Sequence, residues 1–379
     1  MGNISDYLAW RGDLTFEERP FNDADNIVLS ALSYLYLEGI VPSEKDGGGI
    51  VLRDAFLQLL YASDGELKPY VRSLATINAE YVIGMCQSPR FCNAILSSYV
   101  DIVDDSKPLQ FSAIQIDLPH AGTYVSYRGT DNNISGWRED FNTSFTITEA
   151  QREAARYLQR TIQRTKQEGG PIRVGGHSKG GNLAAYAVLH CPKEHLGRIA
   201  QVYSNDGPGM APEVVEEGVT EEAFSLIKHI VPTYSIVGML FSQENEPRTI
   251  VTSSVKGVGQ HDLTTWNLMR EGTVQSPTIA DDCLALNKVI SDWTASLSLE
   301  DRKLVVTDIF DALEASGTTK LDEVLSSSDS LNRVIAALNN MDERSREVTK
   351  ALISCFLDSS ITGVSKAARR ALDHLRVSD

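Results

Sequence analysis

The chain has 379 residues, 42% of them hydrophobic and 23% charged, enough apolar material for a sizeable core and too much for wholesale disorder. Asp plus Glu number 51 against 35 Lys plus Arg, a formal charge of −16. A field of that sign repels phosphate backbones and anionic lipid surfaces, and no local basic stripe offsets it, so nucleic acid is excluded as a partner.

The first hundred residues read as mainly helical, with apolar clusters at residues 27–37 and 51–61. The Asp46-Gly47-Gly48-Gly49 run between them is a loop too short to cradle a phosphate. Residues 113–116 and 123–127 read as two short strands around a Pro-His-Ala-Gly turn. A polar helix over 149–167 carries Ala154, Ala155, Leu158 and Ile162 on one face. Strand and helix then alternate: a strand at 172–175, a helix at 182–190, and strands at 199–204, 230–240 and 249–255. That alternation predicts a mostly parallel α/β sheet. From about Ser276 the strands stop, and three helix faces follow: Leu304, Val305, Ile309 and Leu313; Leu331, Val334, Ile335 and Leu338; Val348, Leu352, Cys355 and Phe356. The expected organisation is an α/β domain over 1–277 with a helical N-terminal segment, and a C-terminal α-helical domain over 278–379.

No stretch approaches the roughly 18 apolar residues of a membrane helix, and residues 1–11 carry no basic segment followed by an apolar run. Cys86, Cys92, Cys191, Cys283 and Cys355 are widely scattered with no CxxC pair, as expected of reduced thiols in a cytoplasmic protein. No HExxH, Rossmann or Walker pattern occurs, so neither a metal nor a cofactor is expected.

The sharpest chemical signal is Gly176-His177-Ser178-Lys179-Gly180-Gly181. A strand runs into it and a helix leaves it, the context of a nucleophile elbow. In so tight a turn, side chains at 176 and 180 would collide with neighbouring backbone. A serine nucleophile needs a base later in the chain. His261, in the loop Gly257-Val258-Gly259-Gln260-His261-Asp262, follows the last strand where such a base belongs; His229 reads as a packed strand residue and His374 lies in the terminal helix. The acid must fall between them. Asp206 directly follows the strand at 199–204, while Glu244 and Glu246 follow the next strand in a polar turn, and the three remain alternatives.

Tyr127-Arg128-Gly129-Thr130-Asp131, followed by Trp137 and Asp140, resembles the F-R-G-T…D-W-x-x-D signature of class-3 lipases, upstream of their G-H-S-x-G-G elbow. The string from Gly176 to Ala184 and the opening Asp6-Tyr7-Leu8-Ala9-Trp10-Arg11-Gly12-Asp13 are similar to a bacterial branch of lipase-like hydrolases. The resemblance covers roughly residues 1–270 and implies an α/β-hydrolase fold. It also implies an oxyanion hole made by the backbone N–H groups of Thr130 and Lys179, with Trp137 and Asp140 bracing the oxyanion loop. Tyr234-Ser235-Ile236-Val237 departs from the pattern, because a serine stands where class-3 lipases usually carry their acid. An acid one strand earlier resembles pancreatic-type lipases and favours Asp206. Lys179 replaces the usual apolar residue, and its side chain is expected in solvent or at the rim of an anion-accepting pocket. Arg128 is expected to hold backbone carbonyls, and His177 to pack beside the elbow without moving protons.

The expected activity is that of a serine esterase with Ser178, His261 and Asp206 in the catalytic roles, acting on a small-molecule acyl ester or lipid. The helical C-terminus offers a surface for homo-oligomers. The rival expectation is a catalytically idle hydrolase scaffold whose helical C-terminus binds a protein partner.

Overall fold

The computed structural model describes residues 2–314 apart from 74, 105–108, 131–137, 139–141, 143–145, 168–169, 212–213, 216–218, 242–246, 282, 286, 289–291 and 293–295, together with 343 and 346. Trp137, Asp140, Glu244, Glu246, His374 and the helix faces expected beyond residue 314 therefore lie outside the described residues.

Helices α1 (Ile4–Arg11), α2 (Asp23–Leu32), α3 (Leu52–Ala62) and α4 (Ala79–Gln87) come first. Asn3 with Asp6, and Asn22 with Asp25, close capping boxes that satisfy the amides opening α1 and α2. The second box reaches into the core. Asp25 is fully buried, accepts from Tyr7 Oη at 2.8 Å, and is paired with the equally buried Arg90 at 2.7 and 2.6 Å. Arg90 also donates to the carbonyls of Leu14, Thr15, Arg19 and Pro20, so one guanidinium gathers the whole N-terminal loop.

Eight strands form one sheet in sequential order: β1 (Ile50–Val51), β2 (Ile95–Asp104), β3 (Leu109–Leu118), β4 (Gly122–Tyr127), β5 (Ile172–His177), β6 (Ile199–Asn205), β7 (Ile227–Pro232) and β8 (Arg248–Val251). Neighbours from β1 to β4 are antiparallel, and those from β4 to β8 are parallel. Parallel neighbours need crossovers. Between β4 and β7 these carry α5 (Glu149–Arg164), then α6 (Lys179–Leu189) with α7 (Lys193–Leu196), then α8 (Glu221–Ser225). Strand alternation divides the core between the two faces. Ile114, Ile116 and Tyr124 pack with α1–α4, whereas Val125, Tyr127 and Val174 pack with α5 and α6. The fold is thus α/β-hydrolase-like. A short hairpin, β9 (Leu268–Met269) with β10 (Gly272–Thr273), and α9 (Leu299–Glu314) follow.

Three sequence expectations change. The first hundred residues are not mainly helical at their end, because β2 begins at Ile95; Ser97, Ser98 and a register shift between Ser97 and Val100 interrupt the apolar alternation that would have marked it. The strand expected at 230–240 ends at Pro232, and residues 237–239 form a single 3₁₀ turn. Among the described side chains of α9, Leu304 is 62% exposed, while Val306 and Phe310 are buried. On either side of residues 277/278, Ser276 N–H donates to Ile250 O and Ala280 N–H to Thr233 O, both at 2.8 Å. Among the described residues no helix is long and apolar enough to cross a membrane.

Candidate active site

Ser178 sits between β5 and α6 with φ 57° and ψ −128°, a conformation that an L-residue adopts only under constraint. The constraint is close packing. A Cβ at Gly176 would stand 2.4 Å from the backbone of Gly180, and one at Gly180 would stand 2.2 Å from Tyr127 O. The glycines therefore let the elbow press against the segment that ends β4. Ser178 N–H donates to Asn205 O at 3.0 Å, which ties the turn to the end of β6.

The residue directly after β6 brings a carboxylate. Asp206, fully buried and also at positive φ (48°), presents Oδ2 to His261 Nδ1 at 2.6 Å. His261 Nε2 lies 3.1 Å from Ser178 Oγ. With Nδ1–H donated to the carboxylate, the Nε2 lone pair is left to accept from the serine hydroxyl. The structure thus brings Ser178, His261 and Asp206 into one hydrogen-bonded row at the C-terminal end of the parallel strands.

His261 lies in the 3₁₀ turn Gly257–His261, and both flanking residues anchor it. Gln260 Oε1 accepts from Thr233 Oγ1 at 2.8 Å and from Tyr234 N–H at 3.0 Å, while Gln260 O accepts from the buried Trp266 indole at 2.7 Å. Asp262 caps the following turn and accepts from Thr76 N–H at 3.0 Å. Beneath the loop, His177 Nε2 donates to His261 O at 2.6 Å, and Tyr34 Oη donates to His177 Nδ1 at 2.7 Å. Burial, and after it the charge His261 can carry, hold His177 well below the ordinary histidine range. His177 thus stays neutral and supports the loop, in line with its expected packing role.

The remaining candidates divide. Thr130 is buried just beyond Gly129, and a Cβ at Gly129 would stand 2.6 Å from His177 O, so the segment leading to Thr130 lies against the elbow. Lys179 opens α6 directly after Ser178. Its side chain is neither solvated nor at a pocket rim: it is 1% exposed, and Nζ donates to Gln110 O at 3.0 Å. The ammonium thus reaches from α6 to β3, where the carbonyl takes it. Arg128 does not simply hold carbonyls; it makes a two-pronged pair with Asp101 on β2, at 3.0 and 2.7 Å.

Two supporting groups were not apparent from spacing. Asn205 Nδ2 donates to Asn26 Oδ1, Ser30 Oγ and Gly176 O, bolting α2 to both strands that carry the site. Ser235 Oγ donates to Asp206 Oδ1, and Gly238 N–H donates to the same oxygen at 3.2 Å. The one sequence signal at Ser235 was its departure from the class-3 pattern.

Fold and site together define a protein of α/β-hydrolase-like architecture with a Ser-His-Asp row whose serine and aspartate are buried. A family model described as Mbeg1-like matches residues 85–311, more than half of the chain, and the chain belongs to that family. Among solved structures, it is similar to a Rhizomucor miehei lipase in complex with its propeptide (13% identity, 52% of this chain and 65% of that one, TM-score 0.33). It is also similar to M37 lipase (16% identity, 56% of this chain and 68% of that one, TM-score 0.33). Lip2 lipase from Yarrowia lipolytica is a third (14% identity, 62% of this chain and 89% of that one, TM-score 0.29). The match spans just under two thirds of the length of the Rhizomucor protein. Comparison with curated proteins finds no match.

Proposed function

We propose that the chain is a serine hydrolase that cleaves carboxylic esters through an acyl-enzyme. The carrying observation is the row from Ser178 Oγ to His261 Nε2 (3.1 Å) and from His261 Nδ1 to Asp206 Oδ2 (2.6 Å). Membership of a lipase-like family supports the same reading.

Ser178 Oγ attacks the acyl carbonyl as His261 Nε2 takes its proton. The negative oxygen of the tetrahedral intermediate is held by the backbone N–H groups of Thr130 and Lys179, the second reinforced by the positive end of α6. His261 then gives its proton to the departing alkoxide. Water deacylates the serine by the same route, with His261 as base and then acid. Asp206 accepts from Nδ1–H throughout, which fixes the reactive tautomer and offsets the imidazolium charge. Small acyl esters, lysophospholipids and acyl thioesters in the cytoplasm are the substrate classes this chemistry serves.

The test is a fluorophosphonate label on purified protein, followed by p-nitrophenyl esters from acetate to palmitate. Wild type labels at Ser178, and Ser178→Ala loses labelling and on the order of 10⁶ in kcat. A folded wild type that takes no label, or a clean Ser178→Ala protein that keeps more than a few per cent of the activity, overturns the proposal.

A further inference from the structure

The Asp206 carboxylate is held from both sides, and only one side is His261. Oδ2 faces the imidazole, whereas Oδ1 accepts from the Ser235 hydroxyl and, at 3.2 Å, from Gly238 N–H. Both donors to Oδ1 come from the loop after β7, a chain segment separate from the one that carries Asp206. Asp206 and Ser235 are each fully buried, so water does not compete for that oxygen.

The loop that offers the hydroxyl is itself fixed from three directions. Gln260, next to His261, holds Thr233 Oγ1 and Tyr234 N–H. Ala280 N–H donates to Thr233 O, and Cys283 Sγ donates to Ser235 O. Asp206 N–H donates to Ile230 O, which fixes the acid's own backbone against β7. Gly238 leaves room for nothing larger, since a Cβ there would stand 2.3 Å from Oδ1.

We propose that Ser235 is a positioning residue. Its hydroxyl takes the oxygen that His261 does not use, stops the carboxylate turning about its Cβ–Cγ bond, and so aims Oδ2 at the imidazole. The proposal rests on the reading of Asp206 as the acid partner of His261. It also implies that positions 206 and 235, on adjacent strand ends, point their side chains at one place, so the carboxylate and the hydroxyl can exchange backbones.

Two measurements on the full-length protein test this. In Ser235→Ala, fluorophosphonate labelling of Ser178 slows about tenfold, the loss expected when a charged acceptor gives up one of its donors. In the same protein, the far-downfield proton NMR signal of the His261 Nδ1–H shifts or broadens while the amide spectrum stays native. A purely structural role for Ser235 would not move that signal in a protein that keeps its fold. The second measurement compares Asp206→Ser with the double variant Asp206→Ser/Ser235→Asp, which keeps one carboxylate and one hydroxyl in the same space. The double variant labels at least tenfold faster than Asp206→Ser. An unchanged labelling rate and downfield signal in Ser235→Ala overturns the proposal, as does a folded double variant no faster than Asp206→Ser. Wild-type protein that never labels at all counts against the hydrolase reading instead, and the NMR signal still judges Ser235.

Discussion

At the scale of single residues, the acid is where three residues compete for one role. Asp206 touches His261 Nδ1 at 2.6 Å from a fully buried site, and an amide there would offer an N–H to an N–H. Asp206→Asn is therefore expected to lower kcat roughly 10⁴-fold, with thermal stability largely retained. Glu244→Gln and Glu246→Gln should leave kcat within about twofold, since the Nδ1 of His261 is already taken by Asp206. Ester hydrolysis by the three purified variants decides the matter, and a severe glutamine variant would return the acid to the strand after β6. The sequence already pointed to Ser178 and His261, because an elbow and a late loop histidine are local patterns. Ser235, Tyr34 and Asn205 were illegible for the opposite reason. Each acts through a contact that joins distant parts of the chain, and no spacing rule encodes it.

Among the elements, β3 to β6 could be read from apolar runs between turns, and α5 from its stripe of Ala154, Leu158 and Ile162. β2 could not, because a bulge and two serines hide its period. The end of β7 was misjudged because the apolar run continues through Ile236, Val237, Met239 and Leu240. Those side chains are buried by a turn and not by a strand. The tie between this turn and residues 276–283 carries a prediction of its own. Ala280→Pro removes the N–H that donates to Thr233 O, at a position just before a helical turn. Labelling of Ser178 should slow about five- to tenfold, because the loop that holds Asp206 loses a tether. Leu304→Ala on α9, largely exposed, serves as the silent control. Equal labelling rates in the two variants would show that residues beyond 277 give the site no support.

For the whole molecule, the buried neutral His177 links fold to pH. Its folded value lies well below the ordinary one, whereas in the unfolded chain it binds a proton near pH 6.5. Below about pH 6.5 the unfolded state therefore holds more protons, and stability falls by about 1.4 kcal/mol per pH unit until the folded value is reached. Urea unfolding at pH 7.5, 6.0 and 5.0 should show wild type declining more steeply than His177→Gln, and parallel declines would refute the linkage. The bolt between α2 and the site has a consequence for how the protein is made. Nine of the ten residues of α2 are buried, and Asn26 meets Asn205 across 179 positions of chain. A ribosome adding about 5–20 residues per second needs on the order of 10–30 s to produce β6 after α2 has emerged. Until β6 arrives, the polar face of α2 around Asn26 and Ser30 lacks its partner Asn205, and it can stick to any other unfinished chain nearby. Yield in a crowded translation system thus depends on pacing, on temperature and on chaperones that shield a helix waiting for strands not yet synthesised.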